Sequence, residues 1–248
     1  MKYNIAKLIV VLASLALPTW LRAGPGPTAA DVGDLDSFGH TAIYMGAASS
    51  GFVTLSPDCS AEPSPAPTPP DSQCFTLNPS PTVTTFDAQD VCRIKLPKKA
   101  TRDIIYPIIT IAYDYQYLNT TATRQDPALF TYTVYFTIES DALNDPSVID
   151  PFTGSPAMGR LQHVIPGPIT FRDDRSLEAL ERIRNRIAYS RSGNNGFTKT
   201  FMVNYGLSPT VVDALFAGPM TIRCNVEGSA RWVSRATIQL NMRLLGDQ

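Results

Sequence analysis

The stretch DIIYPIITIAYDYQYL, residues 103–118, decides the fold class. Ile105, Pro107, Ile109, Ile111, Tyr113, Tyr115 and Tyr117 all fall on one parity. A period of two, built from β-branched and aromatic residues, is the signature of a half-buried strand. The first half is apolar on both parities, which predicts burial from both sides. Downstream, residues 129–140 repeat the theme, with Phe130, Tyr132, Val134, Phe136 and Ile138 on one face and mostly threonine on the other. Residues 232–244 alternate most cleanly. Trp232, Ser234, Ala236, Ile238, Leu240, Met242 and Leu244 share one side, opposite Arg235, Thr237, Gln239, Asn241 and Arg243. Further short strands are expected at 40–47, 51–55, 82–86, 91–96, 197–205 and 220–226. The class is therefore mainly β, an antiparallel sandwich-like domain.

Helical spacing interrupts this pattern once at length. Leu177, Leu180, Ile183 and Ile187 recur behind Asp173 and Asp174, an acidic start suited to free amides and to the helix dipole. They predict one amphipathic helix over about 174–190, ended by the Gly- and Asn-rich segment 192–196. Residues 208–217 predict a shorter helix, with Ser208 as cap and Pro209 in the first turn.

Proline and charge divide the N-terminal third. Eight prolines fall between Pro57 and Pro81. Proline fixes φ and removes a ladder donor, so the segment 57–82 reads as an exposed, extended loop. From Gly24 to Cys92 there is no Lys or Arg, against eight acids; from Arg93 onward the balance is +4. The arm and first strands, 24–56, thus lead into a main β domain over 83–248, with 24–248 as one domain. Such asymmetry suits docking of the acidic third on a basic surface of the same chain or a neighbour, or simply a solvated acidic face.

The first 23 residues predict an export signal. Lys2 and Lys7 precede an apolar run from Leu8 to Leu17, then Pro18 and a small residue at Ala23. Removal of this leader, with Lys2, Lys7 and Arg22, leaves 18 cations against 22 acids, net −4. That balance argues against nucleic acid as a general partner. An exported chain meets an oxidising environment, so Cys59, Cys74, Cys92 and Cys224 read as two disulfides, not metal or redox ligands. Sequence leaves three pairings open; 59–74 with 92–224 is favoured because the first needs only local closure. That ring of 16 residues is worth about 3 kcal/mol in the loop-entropy treatment.

Chemistry-bearing residues are few. Histidine occurs only at 40 and 163. The segment Asp36-Ser37-Phe38-Gly39-His40 resembles the opening block of the GDSL-type hydrolases, which implies acyl-transfer chemistry around Ser37 and His40. Two features depart from that family: Leu35 stands where the block has glycine, and no Asp-x-x-His lies near the C-terminus. Asp31, Asp34 and Asp36 offer oxygen ligands for calcium, at a spacing unlike the EF-hand loop. No C-x-x-C pair and no phosphate-cradling glycine motif is present, so no cofactor is expected. Asn119-Thr120-Thr121 fits the glycosylation sequon.

Three surfaces remain as binding candidates. Arg172, Arg175, Arg182, Arg184, Arg186 and Arg191 cluster on or beside the expected helix, and Arg175, Arg182 and Arg186 are the partner-binding candidates. Tyrosines 106, 113, 115, 117, 132 and 135 form either a platform for a glycan or sheet-face packing. The long C-terminal strand is a candidate for strand addition. The expected function is a non-catalytic structural or interaction protein of a cell envelope, surface or appendage, secreted or periplasmic, with self-association or a protein partner. The alternatives are a secreted glycan- or ligand-binding module and a hydrolase around Ser37 and His40.

Overall fold

Two sheets, antiparallel in every pairing but the one between residues 52–56 and 72–76, face each other across an aromatic core. The computed structural model describes residues 42–60, 72–192 and 196–247. The expected leader, Asp31, Asp34, Asp36, Ser37, His40 and residues 61–71 of the Pro-rich segment lie outside the described residues. One sheet has six strands. Its main path runs β10 (Phe197–Thr198), β4 (Ile104–Leu118), β12 (Val233–Asp247), β1 (Ala42–Ser56) and β2 (Ser72–Thr76). Farther along β4, β9 (Arg182–Ser192) takes the flank that β10 holds at its start. The second sheet runs β3 (Thr84–Leu96), β11 (Met220–Arg231), β5 (Gln125–Glu139) and β8 (Arg160–Leu177). A small hairpin, β6 (Ile149–Asp150) with β7 (Ser155–Pro156), stands apart.

Alternation along β4, β5 and β12 is realised in the packing. Ile105, Ile109, Ile111, Tyr113, Tyr115 and Tyr117 of β4 are buried, as are Ala236, Ile238, Leu240, Met242 and Leu244 of β12. They meet Phe130, Tyr132, Val134, Phe136 and Ile138 from β5. Side chains of period two place one set inward and leave the other to solvent. Pro107 lies between the positions where β4 pairs with β10 and those where it pairs with β9. Pairing on that flank is interrupted there, which suits a residue without an N–H.

Several sequence expectations are corrected. Residues 174–190 form no helix; they are the end of β8, a turn and most of β9. The helical spacing of the apolar residues coexists with Arg182, Arg184 and Arg186 at every second position, and tertiary pairing selects the strand. β9 forms a ladder of eleven residue pairs with β4, and β8 pairs along most of β5. Leu180, expected on the helix's buried face, sits 71% exposed in the turn with φ of 59°. Residues 42–47 and 51–55 of the two expected strands belong to one strand, β1, which holds register with β12 across two irregularities. Likewise, 84–86 and 91–96 merge into β3, with Asp90 at φ 62° between them, whose N–H donates to Asn225 Oδ1 at 2.6 Å; residues 82–83 precede the strand. Residues 197–205 give two strand residues and then a helix, α1 (Lys199–Tyr205), because the Thr198 hydroxyl caps the Phe201 amide at 2.9 Å. The expected C-terminal helix is present as α2 (Pro209–Ala217), capped by Ser208.

The cysteines divide into two kinds. Cys59 and Cys74 form a disulfide that ties the start of the Pro-rich loop to β2. Cys92 and Cys224, expected as the second bridge, are buried thiols. They are direct partners on the neighbouring strands β3 and β11, so the ladder already brings them together without a covalent tie. Burial pushes the Cys224 thiol well above its ordinary pKa, reinforced by the Cys92 thiol beside it. Without thiolate, exchange chemistry does not start.

Asp247 closes the sheet at its end. Its Oδ1 accepts from Thr101 Oγ1 at 2.6 Å and from the amides of Arg102, Asp103 and Ile104 at 3.0–3.2 Å. Burial acts to raise its pKa, but the hydroxyl and three amides outweigh it, and the carboxyl is held below its ordinary range.

Two measurements check these features. Thiol titration with an aromatic disulfide reagent should find almost no reactive thiol in the native protein and two per chain in denaturant. Asp247→Ala should cost about 1–3 kcal/mol. A carboxyl lowered in the folded state stabilises above its unfolded pKa of about 3.9 and loses that contribution as pH falls through the folded value. Acid unfolding curves of the wild type should therefore steepen below about pH 4 relative to the variant.

Candidate functional site: a basic sheet face

The outer face of the six-stranded sheet gathers arginine. On β9, residues paired with the solvent-facing side of β4 are Arg182, Arg184, Arg186, Ala188 and Ser190. Register sets Arg186 against Asp114 and Arg184 against Gln116; on the far side of β4, β12 sets Thr237 against Asp114 and Arg235 against Gln116. These residues line a depression of about 730 Å³. Asp114 is the one acid among them. Arg184 grips it with two bonds, Nε to Oδ1 at 3.0 Å and Nη2 to Oδ2 at 2.5 Å. That bond, with the fields of Arg184, Arg186 and Arg235, holds the Asp114 carboxyl below its usual range. One carboxylate set against Arg184, Arg186 and Arg235 leaves the depression positive, and Arg182 continues the row along β9. A cluster of this kind attracts anionic groups at a range set by the ionic strength.

β9 is also an edge. Among the described residues it pairs with β4 and with no other strand. Ile187, beside the inward-facing Tyr113, is 47% exposed at this rim, where the sheet ends. The edge therefore offers main-chain donors and acceptors, flanked by cations on one face and an apolar side chain on the other.

The three arginines singled out from sequence are separated. Arg182 and Arg186 lie on β9 and on this face. Arg175 lies on β8 in the other sheet, bound to Asp173 (Nη2 to Oδ1, 2.8 Å) and stacked over the Tyr117 ring at 5.7 Å. Arg172 pairs with Asp174 at 2.7 Å. Arg235 entered the sequence reading only as part of an outward parity; register across β4 is what joins it to β9.

The tyrosines do not form an exposed row. Tyr113, Tyr115, Tyr117, Tyr132 and Tyr135 are buried, and of the six only Tyr106 is exposed. The rings of Tyr113, Tyr115, Tyr117 and Tyr132 pack on one another and on Phe130, Phe171 and Tyr189 at centroid distances of 4.5–6.2 Å, which is sheet-face packing. His163 is stacked between Tyr135 (3.9 Å) and Phe152 (4.1 Å). Asn119 is 1% exposed, and its side-chain amide donates to the carbonyls of Thr123 and Glu178, both at 2.8 Å. Both amide protons are thus committed, and the sequon nitrogen is inaccessible in the fold. Among the described residues no three His, Cys, Asp or Glu side chains gather as a metal set. No described helix is long and apolar enough to cross a membrane, which says nothing about strands.

No protein-family model matches the chain, and no curated protein matches its sequence. Two solved structures of infectious bursal disease virus align weakly. The T13 viral particle shares 8% identity over 83% of this chain and 37% of that chain, with a TM-score of 0.16. The Gx strain shares 12% identity over 84% of this chain and 55% of that one, with a TM-score of 0.15. The chain thus spans less than two thirds of either, and likeness at this level carries no argument.

Charge on the face should be readable directly. On a sulfonate resin, Asp114→Asn should elute at higher salt than the wild type, and Arg186→Glu at lower salt, because the first removes the cluster's one carboxylate and the second replaces a cation with an anion. Equal elution of all three would show that the face does not govern anion contact.

Proposed function

We propose that the chain is an exported, non-catalytic structural or interaction protein, secreted or periplasmic, that docks an acidic partner on the arginine face of its six-stranded sheet. The observation that carries this reading is the arrangement of Arg184, Arg186 and Arg235 around a single carboxylate, beside the edge strand β9. Charge complementarity of this kind steers encounter and fixes register more than it adds raw affinity. The disulfide between Cys59 and Cys74 supports an oxidising setting. The buried aromatic core supports a rigid platform: its side chains are spent on packing, and the solvent-facing residues remain for recognition.

Edge strands give such a protein a second mode of contact. A partner strand laid along β9 gains main-chain hydrogen bonds from the ladder and specificity from alternate side chains. On this reading the protein works by shape and charge at a surface or in an appendage, with self-association as the expected form of assembly.

Native mass spectrometry of the chain from Gly24, followed by electron microscopy, tests the assembly half of the reading. Dimers or higher assemblies that dissociate as salt is raised are expected. A strict monomer at high concentration that also ignores acidic polymers would refute it.

A further inference from the structure

We infer that the occupant of the β9 edge is the acidic N-terminal arm of a second copy of this chain, added as a strand around residues 34–36. This deepens the reading above and rests on it. Three observations carry it: periodicity, charge and reach.

Periodicity comes first. The row Arg182, Arg184, Arg186 presents a guanidinium at every second residue on one face of β9. Asp34 and Asp36 present carboxylates at the same interval. In an added strand both would project from the face that carries the arginines, and Leu35 between them would turn to the opposite face. That is the face on which Ile187 stands half exposed at the rim. One strand thus answers both sides of the edge: its two acids match the excess of two cations that Arg182, Arg184 and Arg186 keep over Asp114, and Leu35 meets the apolar gap.

Charge then narrows the choice of occupant. Arg184 is held by Asp114, whereas no ion pair is found for Arg182 or Arg186 among the described residues. A β9 strand from a second copy, paired here, would bring its own arginines to the same face and repel. The chain's acidic third is the complementary segment: residues 24–92 contain eight acids and no Lys or Arg.

Reach selects the second copy over the first. Across the sheet, Ala42 pairs with Asp247, and Gly246 with Ile105, so β1 begins level with the start of β4. Arg186 pairs with Asp114, ten residues along β4 and three strands across from β1. At about 3.3 Å per residue and about 4.8 Å per strand, that separation is about 36 Å. Asp36 stands six residues before Ala42, a contour of at most about 22 Å. Both carboxylates of one arm therefore cannot sit on the arginines of its own β9. Head-to-tail exchange of arms between copies removes that limit and, because donor and acceptor surfaces differ, it generates rings or chains.

Charge exchange tests the inference on the chain from Gly24 to Gln248. One variant carries Asp34→Lys and Asp36→Lys; the other carries Arg182→Glu and Arg186→Glu. Sedimentation should show that each alone associates about tenfold or more weakly than the wild type. An equimolar mixture should recover a mixed complex, since the basic arm of one meets the acidic face of the other. A chain with all four changes should assemble by itself, which also shows that the variants fold. Assembly that persists unchanged in the variants overturns the inference and leaves self-association through another surface. A monomeric wild type that is retained by heparin or polyglutamate overturns it too, and leaves the basic face as a site for an acidic polymer. A monomeric wild type that binds neither overturns the inference together with the function from which it starts.

Discussion

The buried tyrosines impose the constraint on which the rest of the molecule depends. Three of them, Tyr113, Tyr115 and Tyr117, lie on one strand and point into the space between the sheets. Their rings supply apolar area, but each hydroxyl must find a partner or carry a desolvation cost. Asp173 on the facing sheet meets that need for Tyr115 and Tyr117. It accepts from the Tyr115 hydroxyl, its carbonyl accepts from Tyr117 at 3.0 Å, and its carboxylate is balanced by Arg175. Asn185 of β9 donates to Tyr115 at 2.9 Å, so the same knot joins β8, β4 and β9. Burial, with the Asp173 carboxylate close by, drives the Tyr115 and Tyr117 hydroxyls far above their ordinary pKa, and they remain neutral donors. One acid thus registers two sheets at the flank where the sandwich is open.

That knot also explains where the functional charge ends up. With Asp173 and Arg175 facing the tyrosines, the cations of β9 have no role inside and occupy the outer parity. The strand cannot shift by one residue without driving Arg182, Arg184 and Arg186 into the aromatic core. Tyr189 bonds to the Tyr132 hydroxyl at 3.1 Å, and Thr110 to Ser190 at 2.8 Å, fixing the register from both faces. The basic row is therefore a rigid feature, set by the packing behind it.

How far this was legible from the chain depends on what each segment must satisfy. β4, β5 and β12 are read from alternation alone, because one face is core and the other solvent, and nothing competes with that signal. β8 and β9 are not, because their apolar residues fit a period of 3.6 about as well as two. What decides between these is the ladder offered by β4 and β5, which no local window contains. α1 is lost for a similar reason: Phe197 and Phe201 suggest a strand, and only the cap from Thr198 starts the helix. The candidate site was half visible. The arginine cluster stood out in the chain, but an imagined helix grouped Arg175 with Arg182 and Arg186, whereas the sheet exchanges Arg175 for Arg235. The cysteine reading divides in the same way: local closure foretold Cys59–Cys74, and the ladder, unseen in the sequence, made a bridge at Cys92 and Cys224 unnecessary.

Edge strands force a choice that this chain resolves with charge. An open edge with an apolar rim is a template for indiscriminate pairing, and natural sheets blunt such edges with cations. Arg182, Arg184 and Arg186 do that here: neutral or basic strands gain ladder bonds but bring no carboxylate to the row, and a second β9 adds like charge. The same row therefore favours strands with acids at alternate positions over neutral or basic ones. Protection and recognition are two consequences of a single electrostatic pattern. From residue 24 onward the composition fits this division, with the cations confined to the segment after Cys92 and a stretch before it that holds acids and no Lys or Arg. In the arm exchange proposed above, this separation of signs along the sequence leaves the acidic and basic parts to meet between copies.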